Sequence, residues 1–322
     1  MKNIPAVNFP NFESNKSANR YAVIMAGGDG SRLKSLTRAI AGDDRPKQFC
    51  PILNNETLLD ATRKRVALKI DPENTFFSLT AKHERFYGAL LRGVSRHQLI
   101  VQPENKGTAP AILYSLLQLA KRDAEATVAF FPSDHYFSDD RGFMNNVETA
   151  FQAVALNPDS LVLLGIEPES AETSYGWIEP QESLFGNLAK AVSQVKRFWE
   201  KPAAETARLL MTRNCLWNSF VMVGKVKTFL KLIEKHAPGL YQIFAASSAA
   251  FGAAAEKATV RALYAWIMDV NFSSEVLEKA ADELYVLRVA NVGWSDWGEP
   301  QRVLGTLENL GLQPDWMRAV AA

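Results

Sequence analysis

Cysteine is nearly missing from this chain. Cys50 and Cys215 are too few for a disulfide scaffold or a cysteine metal site. They read as small buried hydrophobes. Net charge is nearly missing too: 36 basic residues face 35 acidic ones, leaving a formal +1. That balance argues against a dedicated nucleic-acid binder, which carries a basic excess. Long apolar runs are absent. Stretches such as YAVIMA, LVLLG and FVMVG stop at strand length, short of the roughly 18 residues that cross a bilayer. Histidines 83, 97 and 236 are scattered, and nothing in their spacing suggests zinc. Residues 1–19 lack an apolar signal core and are broken by proline and asparagine, so they read as a polar N-terminal arm. A soluble, cytoplasmic protein is the expectation.

What is present points to an enzyme-sized α/β domain. The chain has 322 residues, 47% of them hydrophobic, which suits one large domain over 20–322. Apolar runs at 21–26, 76–80, 98–103, 126–134 and 160–166 read as buried strands. Helical spacing fills 57–69, and 83–93 (HERFYGALLRG) also reads as a helix. A proline in its first turn opens a helix at 110–122, just after Thr108. A short helix is expected over Ser31 to Leu36. This alternation predicts a mostly parallel sheet covered on both faces. YGWIEP, AVSQVKRFWEKP and CLWNSFVMVG follow without long helices between them, so the sheet should gain a mixed or antiparallel extension. Helices are expected near 225–236, 241–246 and 255–267, then a strand at DELYVLRVA and a terminal helix at PQRVLGTLENL.

The stretch AGGDGSRLK places Gly27, Gly28 and Gly30 between a strand and a helix. Glycines there let the backbone approach a phosphate, and the helix start supplies free amides. The segment is neither a Walker A motif nor a dinucleotide fingerprint, since the Lys-Ser/Thr pair and the third glycine are both missing. A tight strand–helix turn without ligand is the plain alternative. Arg32 sits near a helix start, where an unpaired cation is disfavoured by the macrodipole; an incoming phosphate compensates for it. Lys47 is placed to close over the same phosphates, or is a solvated lysine.

Asp134 ends an apolar strand, where open α/β sheets bind ligands. Asp296 lies in the loop GWSDWG. Two converging carboxylates suit Mg²⁺, which also uses waters and phosphate oxygens. Each Asp is equally readable as a turn cap, and spacing does not prove that they converge. His135 reads as structural support. Asn218 is a polar group within an apolar run and needs a partner, either a ligand hydroxyl or the backbone.

Taken in order, GGDGSRLKSLTR…RPKQF, QPENKGTAPAI, FPSDHYF, YGWIEP, FWEKP, WNSFVMV and VGWSDWGEP resemble the signature blocks of the sugar-1-phosphate nucleotidyltransferases, over about residues 20–305. The PKQF block is most similar to the mannose-1-phosphate guanylyltransferases among them. The resemblance implies a Rossmann-like, glycosyltransferase-A-like three-layer α/β fold with a mixed sheet. It implies that an NTP and a sugar-1-phosphate give an NDP-sugar and pyrophosphate, with GTP and mannose-1-phosphate as substrates and Mg²⁺ as cofactor.

The same resemblance assigns residues. Arg32, Lys47 and the glycine turn would hold the triphosphate, with Asp134 and Asp296 on the metal. Gln102 and Gly107 would meet the base, and Thr108 would cap the following helix. Lys201 would bind the sugar phosphate, while Glu200, Asn218, Tyr175 and Gly176 meet the sugar. Three positions depart from the pattern: Asp29, Ser35 where a proline is usual, and Ser273 where an Asp is usual. They leave room for another base or sugar, or for a noncatalytic nucleotide-sugar-binding homologue. A homodimer is compatible with the sequence. The motifs run nearly to residue 322, so a single-activity catalytic core is expected.

Overall fold

The computed structural model describes residues 19–181 and 192–320. The expected N-terminal arm therefore lies, but for Asn19, outside the described residues. Nine strands form one continuous sheet: β1 (Arg20–Met25), β2 (Thr75–Thr80), β3 (Leu99–Gln102), β4 (Thr127–Pro132), β5 (Leu161–Ile166), β6 (Gly176–Pro180), β7 (Val192–Glu200), β8 (Leu216–Lys225) and β9 (Leu284–Val289). Their order is β3-β2-β1-β4-β8-β5-β9-β7-β6, with β8 also pairing β6. β1, β2, β3 and β4 run parallel, as do β5 and β9. β8 is antiparallel to both β4 and β5, and β6 and β7 extend the sheet antiparallel. The mixed extension expected from the second half is thus present.

Both sheet faces are buried, which explains the unbroken apolar runs. Val23, Val128 and Phe130 point into one core layer. Their neighbours Ala22, Ile24, Ala129 and Phe131 point into the other. Side chains alternate along a strand, so a strand covered on both faces shows no polar alternation. Each such Val, Leu, Ile or Phe contributes about 1.5–3 kcal/mol relative to exposure. A third cluster lies at the end of the molecule, where Trp297 is fully buried with Leu33, Cys50, Val303 and Leu307. Both cysteines are buried, as expected.

Some boundaries differ from the sequence reading. The helix expected to stop at Leu36 continues to Ala41 and ends at Gly42, whose left-handed backbone caps it. Pro238 starts the helix expected from 241. PQRVLGTLENL is helical over Pro300–Asn309 but is not terminal, since Asp315–Val320 forms another helix. Thr108 is not a cap. Gly107 holds that position, and the Thr108 hydroxyl instead accepts the Phe272 amide at 2.8 Å. Among the described residues no helix is long and apolar enough to cross a membrane.

Candidate active site

β1 and β4 are neighbours in parallel register, with Met25 opposite Pro132. Their carboxyl ends deliver Gly27 and Asp134 to the same edge of the sheet. A cleft of about 350 Å³ opens there, lined by Gly27, Gly28, Gln102, Ser133, Asp134 and Phe220 among others. Side chains from neighbouring elements hold the turn open. Gln48 donates to the Gly28 carbonyl at 2.8 Å, and Thr80 donates to that of Gly27 at 2.9 Å. Gly30 has φ +58°, a left-handed value that favours glycine. Gly28 has open space where a side chain would stand, so its backbone faces the cleft.

Asp134 and Asp296 do converge. The reason is a short antiparallel bridge between the loops that carry them. Tyr136 and Ser295 exchange backbone hydrogen bonds of 2.9 and 3.1 Å. The rings of Tyr136 and Trp297 stack behind it, 4.9 Å apart. Lys47 ties the two loops together. Its ammonium donates to the backbone carbonyl of Asp296, to that of Trp297 at 2.9 Å, and faces Asp134 Oδ2 at 3.4 Å. Two of the ammonium's three N–H bonds thus go to backbone carbonyls, and the carboxylate is close enough for an ion pair. Lys47 is therefore not the solvated lysine of the plain alternative but a buried brace between the two loops.

Asp296 Oδ1 accepts from Tyr175 Oη at 2.9 Å, the Gly298 amide at 2.8 Å and Arg302 Nη1 at 2.8 Å. Burial opposes its charge, but Lys47 and Arg302, joined by His135 only where its ring is protonated, outweigh it and hold the carboxyl below its ordinary value. Burial, then Asp296, push the Tyr175 phenol well up, so it stays a donor. Arg302 also reaches Glu172 at 2.8 Å and the Ser174 hydroxyl at 2.6 Å, and lies over the Tyr175 ring. Sequence reasoning missed Arg302. A cation in the first turn of a helix is the signal that singled out Arg32, and it applies equally here. Arg32 itself is exposed, with an ion pair to Glu299 at a long 4.0 Å. Such a surface contact contributes little and leaves its head able to reach a ligand.

His135 accepts from Trp294 Nε1 at 3.2 Å on Nδ1, which leaves its proton on Nε2. Burial holds its imidazole down at about 4, so it supports Asp134 as a neutral group. The sign of the consequence is definite. Between pH 6.5 and 4 the unfolded chain takes up a proton that the folded chain refuses. Stability therefore falls as pH falls through this window, by about 3 kcal/mol in all. Urea unfolding of the wild type and of His135→Gln at pH 7 and pH 4.5 measures it. The variant is expected to lose less stability on acidification, and equal losses would refute the assignment.

Gln102 lines the cleft with part of its amide already engaged. Its carbonyl accepts from Tyr264 Oη at 2.8 Å and its amide donates to Ser78 Oγ at 3.2 Å. Two buried partners hold it as a strut in the cleft wall. Gly107, in the cleft lining, has φ +85°, and a side chain there would strike the Val270 carbonyl. Asp29 turns outward, pairing with Lys82 at 2.7 Å and facing His83 at 3.2 Å.

On the other side of the sheet centre, Gly176 packs against Phe198, Glu200 and Asn218. Asn218 takes the plain option, accepting the Phe220 amide at 3.0 Å through Oδ1. Glu200 is held above its ordinary value by burial, against the pull of Lys201 at 3.7 Å and with repulsion from Glu278. The Ser273 hydroxyl also faces Glu200. Lys201 is exposed. Outside glycine, left-handed backbone among the described residues occurs at four asparagines, which tolerate it, and at Lys201, Phe220 and Trp297. All three flank this site. Such positions cost about 1–3 kcal/mol each and cluster where function requires them.

The donor set fits a hard divalent cation only in part by itself. Among the described residues no three His, Cys, Asp or Glu side chains form a metal cluster. Asp134 and Asp296 supply two carboxylates, and Oδ1 of Asp296 is already saturated. That suits Mg²⁺, which completes its shell with waters and substrate phosphates.

A family model described as nucleotidyl transferase matches residues 21–310. Mannose-1-phosphate guanylyltransferase 2 of Escherichia coli O157:H7 is 31% identical over 291 residues, which is 87% of this chain and 58% of that protein. A Sinorhizobium fredii mannose-1-phosphate guanylyltransferase is 31% identical over 287 residues, covering 85% of this chain and 52% of the relative. The chain thus spans between half and three-fifths of these curated relatives. A crystal structure from Thermus thermophilus, named mannose-1-phosphate geranyltransferase, superposes with a TM-score of 0.77 at 29% identity, covering 92% of this chain and 80% of that one.

Proposed function

The chain belongs to the nucleotidyl transferase family, and from that premise we propose that it makes GDP-mannose and pyrophosphate from GTP and mannose-1-phosphate. The observation that carries this reading is the glycine-lined cleft with Asp134 in its wall and Asp296 braced to it through Lys47 and the Tyr136–Ser295 bridge. A phosphate oxygen of the sugar phosphate attacks the α-phosphorus of GTP. The bond from that phosphorus to the bridging oxygen breaks, and pyrophosphate leaves with the electron pair. The nucleophile is already anionic near neutral pH, so no protein base or covalent intermediate is needed. Burial pushes the Cys50 and Cys215 thiols up to about 12 and about 11, which suits inert packing groups.

The protein's part is alignment and electrostatics. The backbone of the glycine turn and Arg32 hold the triphosphate. Lys201 receives the sugar phosphate and offsets its repulsion from GTP. Glu200 accepts from sugar hydroxyls. Asp134 and Asp296 hold Mg²⁺, which when bound neutralises charge on the phosphates. Lys47 and Arg302 keep the two carboxylates in place. A second reading, another hexose-1-phosphate, is favoured by one observation: Ser273 puts a neutral hydroxyl beside Glu200, where the resembling family carries a charge. Pyrophosphate release from four NTPs crossed with several sugar-1-phosphates, with and without Mg²⁺, tests both. GTP with mannose-1-phosphate is expected to give the highest kcat/KM. Tight binding of GTP or GDP-mannose without turnover of any pair would overturn the enzymatic reading.

A further inference from the structure

Phe220 has left-handed backbone, φ +60°, in the interior of β8. Aromatic residues avoid this region, whereas glycine enters it freely. The surroundings enforce the kink. Asn218 Oδ1 accepts the Phe220 amide at 3.0 Å. Ser219 Oγ donates to the Leu164 carbonyl at 2.6 Å and accepts the Val221 amide at 3.2 Å. The β5–β8 ladder shifts register between Leu163 and Gly165, opposite this kink. The result is a ring turned into the wall of the cleft, partly exposed, with Phe272 edge-on at 6.5 Å.

Packing alone does not account for that ring. It is only partly buried, and its backbone strain opposes what the burial contributes. Its place in the fold is more telling. β8 follows β4 in the sheet, so Phe220 comes from the strand next to the one that delivers Asp134. Two residues earlier on β8, Asn218 packs with Gly176 and Glu200. On its other side Phe220 meets Phe272, whose neighbour Ser273 faces Glu200, so the ring stands between the cleft and the sugar-side group. We propose that Phe220 is a specificity-determining residue whose ring narrows this passage and excludes hexose phosphates carrying a bulky substituent such as an N-acetyl group.

This inference rests on the nucleotidyltransferase reading, and its test separates the two. Wild type, Phe220→Gly and Phe220→Leu are assayed for pyrophosphate release with GTP and either mannose-1-phosphate or N-acetylglucosamine-1-phosphate. Urea unfolding checks that each variant is folded, and Phe220→Ala replaces the glycine variant if that one is not. In Phe220→Gly the ratio of kcat/KM for the N-acetylated substrate over the plain hexose is expected to rise at least tenfold. Phe220→Leu, which keeps most of the bulk, is expected to stay near the wild-type ratio. If the wild type turns over no pair, the functional reading fails. The inference is then read from binding, as the affinity ratio of GDP-N-acetylglucosamine to GDP-mannose by tryptophan fluorescence. An unchanged ratio in a folded small-residue variant overturns it.

Discussion

Replacing Asp134 with asparagine is expected to slow pyrophosphate release about 10²–10³-fold, the effect of losing about 2.7–4 kcal/mol of transition-state stabilisation. Asparagine has nearly the same shape, and the Asp134 side chain is a third exposed, so the fold should persist. Its contacts are the Lys47 ammonium at 3.4 Å and His135 at 3.8 Å, and neither supports a strand or helix. What the substitution removes is one of the two carboxylates proposed to hold the metal. A coupled pyrophosphate assay over a range of Mg²⁺ measures it, alongside urea unfolding as the control. Asp296→Asn is expected to have an effect of the same order. Full Mg²⁺-dependent activity in either variant would mean that these carboxylates do not hold the metal.

The second large effect is expected from Lys47→Met, which should lower both activity and stability. Methionine fills much of the same volume, but the carbonyls of Asp296 and Trp297 lose their donor. Leaving buried acceptors unpaired costs about 1–3 kcal/mol. The Asp134 carboxylate adds little to that cost, because water reaches it. Activity should fall about 10²-fold or more, because the two loops lose the strut that sets their separation and the site loses a fixed positive charge. Lys47→Arg tests geometry against charge. Its planar fork does not match three donors in a tetrahedral arrangement, so it is expected to recover little. Near-wild-type turnover by Lys47→Met, with stability unchanged, would show that the brace is dispensable.

Much of the sheet was legible because its signal is local. Runs such as those of β1, β4 and β5 are apolar on both faces, and only a strand buried in a covered sheet needs that. Pro110 marked a helix start, though Gly107 rather than Thr108 holds the cap position, with no side-chain cap. The ends of helices were less legible. Stopping the first helix at Leu36 overlooked Gly42, whose left-handed cap lies six residues further on.

The site was legible as residue types and not as contacts. Lys47 could be singled out, but its partners lie 249 and 250 residues away in the chain. No spacing rule distinguishes a phosphate finger from a buried brace across that distance. Gln102 offered donors and acceptors, and nothing in its spacing showed that Ser78 and Tyr264 engage one of each.

The sequence by itself determined the α/β class and the glycine turn after β1, and it singled out the two aspartates as candidates. These depend on short-range hydrophobic patterning and on residue type, which a linear reading contains. Only the tertiary structure decided that Asp134 and Asp296 meet. The Tyr136–Ser295 bridge and the Lys47 ammonium join loops more than 150 residues apart. It also decided that Arg302 and Tyr175 share one oxygen of Asp296, and that Phe220 is held strained in the cleft wall. The physical reason is the same in each case: a polar group's role is set by which of its hydrogen-bonding positions the fold has already filled, and that is settled only when distant segments pack.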